Sequence, residues 1–90
     1  MTSNYEIEKI ATAIVDTLRE NEFFNENPFV GQSELYTKLI ERMTEKENRT
    51  GEMLLTDKEF LQAANEVSEA AISRTLEDLS DKGAINLSIK

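Results

Sequence analysis

The sequence predicts a mainly α domain carrying a small two-stranded β element. Three observations lead there. Apolar residues recur at helical spacing over residues 4–22 and again over 33–46. A Thr-x-x-Glu cap opens a further helical stretch at residue 56. Two short apolar runs, "EMLL" at 52–55 and the alternating "AINLSIK" at 84–90, have strand character, and each needs the other as a partner.

Bulk properties set the limits. Ninety residues make a single domain (1–90), and a chain of that size buries roughly 60–65% of its unfolded surface, so its core is small. A hydrophobic share of 39% with clear periodicity predicts a folded rather than a disordered chain. No signal-peptide pattern and no bilayer-length apolar run are present, so the expectation is a cytoplasmic protein, bacterial, archaeal or viral in style, with no membrane partner. The absence of cysteine excludes disulfides and agrees with a reducing compartment. Asn48-Arg49-Thr50 and Asn86-Leu87-Ser88 fit the glycosylation pattern and, without a secretory signal, read as chance matches.

Along the chain, Ile7, Ile10, Ala11, Ile14, Val15 and Leu18 form one apolar stripe, with Ser3 and Glu6 as a capping box. Pro28 and Gly31 interrupt the pattern, and Phe23, Phe24 and Phe29 beside them read either as plugs closing one end of the core or as an exposed contact patch. The second helix, over about 33–46, buries Leu35, Tyr36, Leu39, Ile40 and Met43. Its Lys38, Arg42 and Lys46 are spaced four apart, with Arg49 near the same line and Glu34, Glu41 and Glu45 alongside. That stripe is either a solvated face tied by ion pairs within the helix or a phosphate track. "ENRTGE" then reads as a turn around Gly51. Thr56 and Glu59 cap a short helix over about 57–64, "NEV" makes a corner at Asn65, and a longer helix from about Ser68 buries Ile72, Leu76 and Leu79 before Gly83 ends it.

Residues 52–89 thus read strand, short helix, corner, longer helix, strand. The run "LLTDKEFLQAANEVSEAAISRTLEDLSDKGAI" resembles the winged helix-turn-helix family, with Leu55-Thr56, Val67-Ser68, Ile72-Ser73-Arg74, Leu76, Leu79, Lys82, Gly83 and Ile85 in matching places. The resemblance implies a winged-helix core over 33–89, with the helix at 4–22 an addition suited to dimerisation. It implies a recognition helix presenting Ser68, Glu69, Ala70, Ser73 and Arg74 to the major groove. It departs from the family in lacking a turn glycine and in having one strand, hence a truncated wing.

Two functions follow as expectations. The first is a dimeric DNA-binding transcriptional regulator, contacting double-stranded DNA through those residues together with Lys38, Arg42, Lys46 and Arg49. The second starts from the net charge of −8, with six basic and ten acidic residues in 1–50 and four and eight in 51–90. It is an acidic protein-binding protein, such as a phage- or plasmid-encoded inhibitor of the DNA-mimic, anti-restriction or anti-CRISPR type, seated in the basic groove of a host nucleic-acid-handling enzyme. Glu69 either accepts from a cytosine amine or complements a helix dipole, and Arg74 either meets DNA or pairs with Asp78. Without histidine or cysteine, and with glycines only at 31, 51 and 83, neither enzymatic chemistry nor a cofactor or metal site is expected.

Overall fold

A computed structural model of the chain describes residues 4–83. Four helices follow one another: α1 (Asn4–Glu20), α2 (Phe23–Glu26), α3 (Gln32–Thr50) and α4 (Asp57–Asp81). The described residues are all-α. This corrects the mainly α, winged helix-turn-helix-like expectation on two counts. No strand occurs among the described residues, "EMLL" being irregular chain between α3 and α4, while the companion run at 84–90 lies outside them. The short helix, corner and longer helix are a single 25-residue helix.

The corner fails for a physical reason. Asn65-Glu66-Val67 contains neither glycine nor proline, and an asparagine inside a helix costs only about 0.6 kcal/mol relative to alanine. Against that small penalty stands an apolar line that crosses the supposed corner without a break. Phe60, Ala63, Ala64, Val67 and Ala71 follow helical spacing, and Ala63, Ala64 and Val67 are buried. Bending the chain at Asn65 would turn half of that line into water.

α3 is the central element. Its Leu35, Leu39 and Met43 are wholly buried, receiving Ile7, Ala11 and Val15 of α1 and the Ala64–Val67 turn of α4. The stripe on α1 is therefore packed inside the chain, with Ile10, Ile14 and Leu18 also against the core. Among the phenylalanines the plug reading holds for two. Phe23 and Phe24 pack on the core, and Phe23 meets Phe24 edge-on at 5.3 Å between ring centroids and Phe60 at 6.1 Å. Phe29 stays 44% exposed.

The ends of the helices are set by local chemistry. The Thr56 cap forms in full: the backbone N–H of Glu59 donates to Thr56 Oγ1 at 3.2 Å, and that of Thr56 donates to Glu59 Oε1 at 2.8 Å. Ser3, the other expected cap, lies outside the described residues. α3 runs a turn beyond its expected end at residue 46 and stops at Gly51, whose φ of 83° is a left-handed conformation that favours glycine. Gly83 ends α4 in the same way, at φ 79°. No helix among the described residues is long and apolar enough to cross a membrane.

Candidate functional site

α3 and α4 lie antiparallel, and the basic stripe of α3 falls in the seam between them. Lys46 Nζ is 2.7 Å from Glu59 Oε1, and Lys38 Nζ is 3.6 Å from Glu66 Oε1 and 3.9 Å from Glu41 Oε1. Arg42 donates to the same Glu66 oxygen. One of these contacts, Lys38 with Glu41, lies within a helix; the rest cross from α3 to α4. The stripe forms an interhelical ladder, together with one pair, Lys38 with Glu41, of the within-helix kind that the solvated-face reading expects.

The ladder perturbs its members in the direction that pairing demands. Lys46 holds the Glu59 carboxyl down at about 2, helped by the Thr56 backbone N–H. The Arg42 hydrogen bond lowers Glu66 against the opposing effect of desolvation, and the same bond to Glu66 raises Arg42. Partly exposed pairs of this kind contribute little to stability. Their larger consequence is electrostatic. Three cations that the sequence offers to phosphate are already neutralised, and the Lys46 side chain is only 11% exposed.

The remaining sequence-derived candidates do not converge. Arg49 is exposed in the last turn of α3, beside a small recess that Arg42, Glu45, Lys46, Leu55, Glu59 and Gln62 also line. Arg74 sits near the opposite end of the seam, above Gly31 and Glu34 at the start of α3, and makes no ion pair with Asp78. Lys38 and Arg74 do line one shallow hollow, but Glu34, Glu41 and Glu66 line it too, leaving three carboxylates to two cations. Ser68, Glu69, Ala70, Ser73 and Arg74, expected early in a recognition helix, lie around the middle of α4. At about 100° per residue, Glu69 and Arg74 project from different sides.

The residues that sequence reasoning missed are Glu59 and Glu66. They stand seven apart, two turns of α4, matching the eight-residue span from Lys38 to Lys46 on α3. Outside the seam, Glu34, Glu41 and Glu45 rim it on α3, and Glu77 continues the Glu59–Glu66 line along α4. Positive charge is thus sunk between Glu34, Glu41 and Glu45 of α3 and the paired Glu59 and Glu66 of α4. Among the described residues no group of three or more carboxylates could hold a metal ion. No family model matches this chain, and neither a curated protein nor a solved structure matches it.

Proposed function

We propose that this chain is a non-catalytic, protein-binding helical module whose α3–α4 face docks on a cationic surface of a partner protein, in the manner of an acidic inhibitor seated in a nucleic-acid groove. One observation carries the reading: Lys38, Arg42 and Lys46 are consumed by Glu59 and Glu66, so the face that could have met phosphate is rimmed by carboxylates instead. A phosphate backbone approaching it would have to strip those cations of hydrogen-bonded partners while facing Glu34, Glu41 and Glu45. A cationic groove meets the same carboxylates favourably. The lack of histidine and cysteine supports a binding rather than a catalytic role. The regulator reading has less support, because its candidate DNA contacts are paired or scattered.

The test uses the tagged chain in a lysate of the cells in which it occurs. The reading expects retention of a nucleic-acid-handling protein, released by salt well above physiological strength, where the Debye length shrinks to a few ångströms. Duplex DNA should compete for that protein, and the Glu34→Lys/Glu41→Lys/Glu45→Lys triple variant should retain it at least tenfold less well. Direct binding of labelled duplex DNA by the unmodified chain, with no protein retained, would overturn the proposal.

A further inference from the structure

α4 carries a second stripe, away from the acidic seam. Leu61, Asn65, Ser68 and Ile72 follow one another at spacings of four, three and four, and Thr75 and Leu79 continue the line. The stripe lies roughly a third of a turn from the Phe60–Val67 line that packs on α3. Leu61 is 56% exposed and Ile72 38%. None of these six residues is charged, in a chain whose net charge is −8. Net charge of that size opposes self-association of the molecule as a whole, and an uncharged strip is the face that adds least to that repulsion.

We infer that a second copy of the chain docks on this strip, α4 against α4 and antiparallel, with the two-fold axis beside Glu66 and Val67. The spacing is self-complementary in that one register, as a two-fold interface requires. With the axis there, Leu61 comes level with Ile72 of the second copy, Asn65 with Ser68, and by symmetry each contact occurs twice. Two leucine–isoleucine contacts then flank a central pair of amide–hydroxyl hydrogen bonds. An asparagine in such a seam fixes register at some cost in strength. Gln62 and Glu69 lie on the same flank of the strip, both exposed and without a partner among the described residues. Same-side flanks meet in an antiparallel pair, so each Gln62 amide donates to the other copy's Glu69 carboxylate. Leu54, 62% exposed just ahead of α4, falls toward the Leu79 end of the second copy. Few apolar side chains are covered, which places the interface in the weak, transient class. The strip and the acidic seam occupy different sides of α4, so this pairing stands or falls independently of the acidic-face reading.

The chain has no cysteine, so single cysteines report the geometry directly. Sedimentation equilibrium from low-micromolar to near-millimolar chain should show mass rising from monomer toward dimer, and Ile72→Glu should weaken that association at least tenfold while circular dichroism keeps the helical signal. Under mild oxidation Ser68→Cys, close to the axis, should cross-link to itself. Ile72→Cys alone should not, whereas a mixture of Leu61→Cys and Ile72→Cys chains should give the mixed disulfide. A monomer throughout the range, association indifferent to Ile72→Glu, or Ile72→Cys linking to itself as readily as Ser68→Cys would each overturn the inference.

Discussion

Glu59 Oε1 accepts two hydrogen bonds, from Lys46 Nζ at 2.7 Å and from the backbone N–H of Thr56 at 2.8 Å. Lys46 Nζ also donates to the carbonyl oxygen of Leu54 at 2.7 Å. One side chain of α3 therefore ties down both the irregular segment before α4 and the cap that starts α4. Lys46→Met, which keeps the apolar stem and removes the ammonium, should cost about 1–2 kcal/mol, as expected for losing hydrogen bonds to a charged group. Urea denaturation followed by circular dichroism measures it, and a loss equal to that of Lys58→Met, an exposed control, would show that Lys46 has no such role.

Acid should weaken the same junction. Glu59 sits at about 2 in the folded chain against an ordinary 4.5, and Glu66 is lowered as well. A carboxyl depressed on folding contributes stability that is complete above its unfolded value and disappears as pH falls through its folded value. Thermal midpoints should therefore fall as the pH drops from about 4.5 toward about 2, and Glu59→Gln should flatten that part of the profile while leaving its neutral-pH end lower. An unchanged slope in the variant would remove Glu59 from the account.

The end-plug reading of the phenylalanines separates cleanly. Phe23 touches Phe24 and Phe60, whereas Phe29 is 44% exposed. Phe23→Ala should cost about 2–3 kcal/mol, less than a fully buried phenylalanine because the ring is only half-buried, and Phe29→Ser should cost well under half of that. Paired chemical denaturation curves decide it; equal losses would mean that Phe29 is as much a part of the core as Phe23.

Glu22 follows α1 with φ 61°, in the left-handed region without being glycine, as the chain turns into α2. A non-glycine residue there costs about 1–2 kcal/mol, partly recovered because glycine loses more freedom on folding. Glu22→Gly should raise stability by about 0.5–1 kcal/mol. Gly51→Ala is the mirror experiment. No atom lies near enough to clash with an added methyl group, so the expected loss of about 1 kcal/mol comes from the backbone alone. Calorimetric midpoints moving in opposite directions for the two variants are the expected result.

What the sequence made legible follows from how local the signals are. α1 could be placed because its six apolar residues and their helical period are contained in one segment, and the Thr56–Glu59 cap because a capping box spans four residues. The ion-pair ladder was hidden because it is a relation between two helices: Lys38, Arg42 and Lys46 can be seen as a stripe, but whether Glu59 and Glu66 face them depends on the rotation of α4. That rotation is lost once α4 is divided at Asn65. The same division disguised the Leu61–Ile72 strip, whose two apolar residues fall on either side of it. Asparagine is a turn former by local preference, and here tertiary burial of Ala63, Ala64 and Val67 outweighs that preference.

Asn65 thus provides the most direct check on the fold. It is exposed in the interior of a continuous helix, so only its helical preference changes on substitution. Asn65→Ala should stabilise the chain by about 0.5 kcal/mol, Asn65→Gly should destabilise it slightly, and Asn65→Pro should cost about 3 kcal/mol or more by removing a backbone donor and clashing with the preceding turn. At a helix–corner–helix junction the order would reverse, with glycine tolerated and alanine harmful, because the corner residue would adopt the left-handed conformation. Denaturation midpoints of the three variants, taken at low-micromolar chain so that self-association does not contribute, distinguish the two orders. A gain in stability from glycine over alanine would mean that α4 is broken at residue 65.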